Sequence, residues 1–129
     1  MIVLDTHAWV WWVSAPDKLS SRATSAINDA KRIGICPISC WEISMKVTMG
    51  RLEIDRDVRL WVREALGRPR VVVLQLFPEI AAAAGQLPRR DFHGDPADRL
   101  IVATTLHHDA ELVTKDGRIR SYAAVRTIW

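Results

Sequence analysis

The sequence predicts a three-layer α/β domain built on a mostly parallel, five-stranded sheet. Two observations carry this expectation. Short apolar runs with little polar alternation recur at 2–4, 33–37, 71–74, 111–114 and 125–128. Such runs are the mark of strands buried on both faces. Helical segments separate each run from the next, and that alternation belongs to parallel α/β architectures.

The elements follow in order. Ile2-Val3-Leu4 is the first strand and ends on Asp5. Thr6 to Val13 forms a short helix, apolar nearly all round, with Trp9, Trp11 and Trp12 inside it. At least one of these tryptophans is expected on a surface that meets a partner, because interfaces are enriched in Trp. Pro16 breaks the chain, and Ser20-Ser21 opens a helix to about Lys31 with Ala23, Ala26, Ile27 and Ala30 inward. After the second strand, Ser39 and Glu42 form a Ser-x-x-Glu capping box. Ile38, Trp41, Met45 and Met49 make that helix's apolar stripe, and Gly50 ends it. Asp57 to Leu66 is amphipathic and closes on Gly67. Val71 to Leu74 reads as a third buried strand, and Pro78 starts a small Ala-rich helix to Gln86. Asp95 is a good N-cap with Pro96 at the first helical position, which puts Asp98 at the third. Glu111 to Thr114 is the fourth strand, Lys115-Asp116-Gly117 a turn, and Val125 to Ile128 the fifth strand.

Composition narrows the class. The chain has 129 residues, 49% hydrophobic and 26% charged, which suits one globular domain spanning 1–129. Its 18 Lys and Arg against 15 Asp and Glu leave a net charge of +3, compatible with a nucleic-acid partner without demanding one. No run approaches the length of a membrane span. The apolar start lacks a basic leader and carries Asp5, so a cytoplasmic protein with no membrane partner is expected. Cys36 and Cys40 stand alone as a C-x3-C, a poor zinc site, and are expected as buried reduced thiols.

The acids are the candidates for chemistry. Asp5 and Asp116 lie just beyond the carboxyl ends of strands, which in a parallel sheet share one edge, the edge where ligands collect. Glu42 and Asp98 fall in the first turns of helices that start from that edge. Each acid also has a structural reading: Asp5 as a helix cap, Glu42 in a capping box or paired with Lys46, Asp98 against a helix dipole, Asp116 in an Asp-Gly turn. Four carboxylates at one mouth cannot all ionise unaided. A hard cation such as Mg²⁺ or Mn²⁺ resolves the conflict, and a divalent ion beside a basic surround suits phosphodiester hydrolysis. Lys46, Arg51, Arg89, Arg90, Arg99, Lys115, Arg118 and Arg120 are candidates to grip phosphate, with two or three expected to touch RNA. His93 stays open between structural and functional roles. His107 and His108 point about 100° apart on a helix, a poor acid–base couple.

Asp5-Thr6 after the first strand, Ser39-Cys40-Trp41-Glu42, the block from Gly94 to Ala103 and Leu112-Val113-Thr114-Lys115-Asp116 resemble the PIN-domain nucleases. The likeness is strongest to the VapC-type toxins of prokaryotic toxin–antitoxin pairs, and it covers the whole chain in order. The resemblance implies a metal-dependent ribonuclease whose catalytic, metal-holding acids are Asp5, Glu42, Asp98 and Asp116. It implies Mg²⁺ or Mn²⁺ as cofactor, RNA as substrate, a homodimer, and a cognate antitoxin that fills the active-site groove. Thr6 and Thr114 would support the acids. His7, where many relatives have Asn, and Arg99 are further candidates for contact with the acids or the substrate. Asp95 stays a cap.

Alternatives of three kinds are open at this point. A housekeeping RNA-processing PIN nuclease shares the fold, though the small size favours a stand-alone toxin. A phosphoacceptor domain would need an Asp after the third strand, and a haloacid-dehalogenase-like phosphatase would need one at His7. A catalytically inactive acidic-pocket binding module is the third.

Overall fold

In the computed structural model, which describes residues 1–129, five three-residue strands form one sheet. They are β1 Ile2–Leu4, β2 Ile33–Ile35, β3 Val71–Val73, β4 Glu111–Val113 and β5 Arg126–Ile128. Their order is β3-β2-β1-β4-β5, and every pairing is parallel. The sequence predicted a mostly parallel sheet; the observed one is wholly so. Seven helices connect the strands: α1 Thr6–Ser14, α2 Ser21–Asp29, α3 Pro37–Thr48, α4 Val58–Leu66, α5 Pro78–Gln86, α6 Pro96–His107 and α7 Gly117–Arg120.

The two-residue period of a strand divides β1 between two cores. Ile2 and Leu4 point to one face, where they join Ile33, Ile35 and Val113 under Trp9 of α1, Ile27 of α2, Ile43 of α3 and Trp61 of α4. Val3 points to the other face and meets Leu112, Ile101 and Val102 of α6 and Ile119 of α7. Helices therefore cover both faces, as the three-layer expectation requires. Helix α5 packs outside α6 through Ile80, Ala84 and Ala103. Gly34 makes room for Leu74: a Cβ there would sit 2.6 Å from a Leu74 methyl carbon.

Strand order corrects one expectation. Val71–Val73 is an edge strand, not a buried one, and Val73 is 50% exposed. Apolar runs show that a segment is a strand but not where it lies in the sheet. The start of α3 is a second correction. The helix begins at Pro37, with Cys36 in the N-cap position making no side-chain cap. Proline suits the first helical position because its missing N–H has no partner there anyway. Ser39 is thus inside the helix and fully buried, and the predicted capping box does not form. The inward face of α3 carries Ser39, Glu42 and Ile43. Trp41 and Met49 of the expected stripe are exposed instead.

The topology sets the place of the site. The chain runs outward from β1 through β2 to β3, then returns to lay β4 on the opposite side of β1. Direction reverses between β1 and β4, and ligands of open α/β sheets bind beyond the strand carboxyl ends at such a switch point.

Candidate active site

Asp5 follows β1 directly and caps α1, its Oδ1 accepting the Ala8 N–H at 2.8 Å. Capping accounts for one oxygen only. The carboxyl is buried at 6% exposure. Burial pushes its pKa up to about 6, against the Thr114 hydroxyl and the Ala8 N–H, while Glu42 and Asp116 push it further up. No cation pairs with it; the ion pairs of the site go to the other three acids.

Thr114 joins the two strand-end acids. Its hydroxyl accepts the Asp116 N–H at 3.1 Å and lies near enough to Asp5 to oppose the rise of that carboxyl's pKa. Asp116 in turn caps α7, accepting the N–H groups of Arg118 and Ile119. Burial alone would raise the Asp116 carboxyl. The Ile119 and Arg118 N–H groups and the Arg118 guanidinium outweigh it and hold the group below the usual carboxylate range.

The two helix acids are held differently. Glu42 lies in the second turn of α3, one turn later than the capping-box reading placed it. Lys46 approaches it at 3.5 Å, the i,i+4 pair considered from the sequence. The helix is fastened to the β1 end by a buried hydrogen bond, Thr6 Oγ1 donating to Ser39 Oγ at 3.0 Å. Ser39 and Glu42 are three residues apart, so they share a helix face. Asp98 sits in the first turn of α6, its N–H donating to Asp95 as predicted for that cap. His93 Nε2 is 2.6 Å from Asp98 Oδ2. The other ring nitrogen, Nδ1, is buried without a partner. The Nε2–H tautomer fits both facts, since it donates to the carboxylate and leaves a bare acceptor, not an N–H, unpaired. Burial raises the Asp98 carboxyl, and His93 opposes the shift.

Asp5, Glu42, Asp98 and Asp116 line one pocket of about 340 Å³, together with Thr6, His7, Trp11, Asp95, Lys46, Lys115 and Arg118. These four acids come from four segments, and Asp95 makes a fifth in the lining. Of the eight basic candidates, Lys46, Lys115 and Arg118 reach the pocket. Asp95 is both cap and pocket wall. His7 lies on the rim, its imidazole pKa lowered first by burial and then by Lys46. Arg99 does not line the pocket. Its guanidinium donates to the carbonyls of Ala84, Gly85, Leu87 and His93, so it clasps the segment before α6 and bears on the acids only through His93. His93 and Ser39 are the residues whose part the sequence left unread. Cys36 plays none: burial pushes its thiol up to about 12, beyond use as a nucleophile at neutral pH.

The donor set is all oxygen, which suits a hard divalent cation. No three His, Cys, Asp or Glu side chains stand close enough to enclose an ion by themselves. That fits an ion such as Mg²⁺, which keeps several waters and takes one or two carboxylates plus substrate phosphate. A larger cleft of about 580 Å³ lies between α1, α4 and residues 53–56. Its Asp55 and Glu64 are exposed and paired to Arg56, leaving no buried, uncompensated acid. No helix of the chain is long and apolar enough to cross a membrane.

Both the sequence and the fold have known relatives. The chain is 38% identical to ribonuclease VapC22 of Mycobacterium tuberculosis, covering 99% of this chain and 98% of that protein. Its fold is similar to that of VapBC2 from Rickettsia felis, solved bound to a promoter DNA fragment, with a TM-score of 0.68 at 15% identity over 98% of this chain and 97% of the other. It is likewise similar to VapBC-1 from nontypeable Haemophilus influenzae, with a TM-score of 0.67 at 19% identity over 98% and 96% of the two chains. The PIN domain model matches residues 2–125. The chain belongs to the PIN-domain family.

Proposed function

We propose that this chain is a metal-dependent endoribonuclease, the toxin of a toxin–antitoxin pair, acting in the cytoplasm as a single PIN domain over residues 1–129. The observation that carries the reading is the pocket itself: four carboxylates in one place, with the most buried, Asp5, lacking any cation. Identity to a VapC ribonuclease over nearly the whole chain supports RNA as substrate. Likeness to VapBC assemblies supports a cognate antitoxin as partner, and a homodimer is the expected assembly.

Carboxylates of the set Asp5, Glu42, Asp98 and Asp116, together with water and the substrate phosphate, would hold Mg²⁺ or Mn²⁺. The bound ion would supply an acidified water and stabilise charge on the leaving oxygen. The protein's own groups do the rest. Lys46, Lys115 and Arg118 grip the phosphodiester, Thr114 fixes Asp5 relative to Asp116, and His93 fixes Asp98. Water, not the ribose 2′-hydroxyl, is the attacking group, so the products carry 5′-phosphate and 3′-hydroxyl ends.

The test is cleavage of a mixed cellular RNA pool by wild type and Asp5→Asn, each in Mg²⁺, Mn²⁺ and EDTA. Wild type should cut only with metal, and the folded variant should not cut. Cleavage in EDTA, equal cleavage by both proteins, or 2′,3′-cyclic phosphate ends would overturn the reading.

A further inference from the structure

Trp11 has no part in holding the acids, yet it lines their pocket. It is the one hydrophobic side chain among the residues there. Its ring is only half-buried. His7 packs on it at 5.7 Å and Trp129 at 5.8 Å between ring centroids, both tilted, so the indole is braced from α1 and from the residue after β5. The Lys115 ammonium stands 5.8 Å from the ring centroid, near the outer limit of a cation–π contact. Lys115 is exposed and makes no salt bridge, so it is free to leave the ring for a phosphate. Trp9 makes a useful contrast. It is completely buried against Trp61, edge to face at 5.2 Å, and is core.

Single-stranded nucleic acids are held by two devices in combination: cations that track the backbone and aromatic faces on which bases stack. Both are present at this mouth. Lys46, Lys115 and Arg118 supply the first, and Trp11 is the aromatic face beside them. We infer that Trp11 is a substrate-contact residue on which a base next to the scissile phosphate stacks. The inference rests on the ribonuclease reading and deepens it: the substrate is single-stranded at the cut, and one flanking nucleotide is selected by stacking strength, not by a hydrogen-bonding code. A purine, with the larger π-face, is the favoured base.

Two readouts test it. The first is binding of a fluorescein-labelled, mixed-sequence single-stranded RNA dodecamer without added metal, so that binding is read apart from cleavage. Trp11→Leu should weaken binding about tenfold, within the range for loss of one stacked base. Trp11→Phe, which keeps a ring and is the safer variant for folding, should fall between wild type and Leu. The second readout is sequencing of fragment ends from a total RNA digest in Mg²⁺. Trp11→Leu should lose the purine preference at one position beside the cut while other preferences remain.

Equal RNA binding by wild type, Phe and Leu variants overturns the inference, and a change in melting temperature alone would mark Trp11 as packing for Trp129. An unchanged preference at every position also overturns it. Failure of wild type to cut any RNA with either metal strikes the ribonuclease reading instead, and the binding series still decides whether Trp11 meets a base.

Discussion

Two clefts of this molecule carry acids, and they hold them in opposite ways. In the larger one, Asp55 and Glu64 lie in solvent and Arg56 pairs with both. Such exposed pairs contribute little to stability because water screens them. In the smaller one, Asp5 is buried without a cation, and only N–H and hydroxyl groups offset its charge. Size does not set the proposed site apart. Uncompensated charge does, because holding an unpaired carboxylate in the interior has a folding cost that binding an ion removes.

The contrast can be broken first at Asp5. Its pKa is about 6 folded against an ordinary 3.8. The folded metal-free protein therefore binds more protons than the unfolded chain between these values. The contribution of Asp5 to stability is therefore greatest below about 4, falls as pH rises from about 4 to about 6, and is lower by roughly 3 kcal/mol above that. Asp5→Asn keeps the cap to Ala8 and removes the titration. At pH 7.5 without metal the variant should unfold at higher denaturant than wild type, by up to about 3 kcal/mol, and the gap should close by pH 4. Wild type no less stable than the variant at pH 7.5 would mean that Asp5 is compensated after all.

The next change acts on Asp98. Outer-shell partners of metal ligands are commonly worth about 10- to 100-fold in metal affinity. His93→Ala should lower Mn²⁺ affinity by that order in a titration, and His93→Gln, which keeps a donor, should recover part of it. An unchanged affinity in both would reduce His93 to packing against Phe92, on which it stacks at 4.4 Å.

A smaller effect is expected at the link between α1 and α3. Thr6→Val leaves the Ser39 hydroxyl buried with its partner gone, a loss of about 1–2 kcal/mol in chemical denaturation. At the far end of the scale is Arg56→Ala, in the larger cleft. It should leave RNA cleavage and Mn²⁺ affinity as they are in wild type. A loss of either would show that cleft to be part of the working site.

The sequence made local features legible. Asp5 and Asp116 could be placed because an apolar run ending in Asp marks a strand end, and Asp95-Pro96 marks a helix start. Local signals failed where two structures fit one residue. Pro37 could end β2 or open α3, and the wrong choice moved Glu42 by a turn and hid the role of Ser39. The partner that settles it, Thr6, is remote in sequence. Arg99 adjoins an acid in sequence, yet its side chain turns away, because four carbonyls of the preceding segment and His93 offer better partners than a solvated pocket. The same clasp sets where His93 lies, which no spacing rule encodes. Strand order was equally unreadable, and β3 went to the edge for reasons of topology alone.

The position of β1 at the centre of the sheet has a consequence for the birth of the protein. Its partner on the switch-point side, β4, is synthesised long after it: Ile2 aligns with Glu111. A domain folds as a unit, so β1 cannot take its central place in the sheet until β4 has left the ribosome. Asp5 then waits with half its site missing until Asp116 and the strand before it have left the ribosome. The pocket that Asp5 and Asp116 share therefore forms late, only once both sides of β1 are covered.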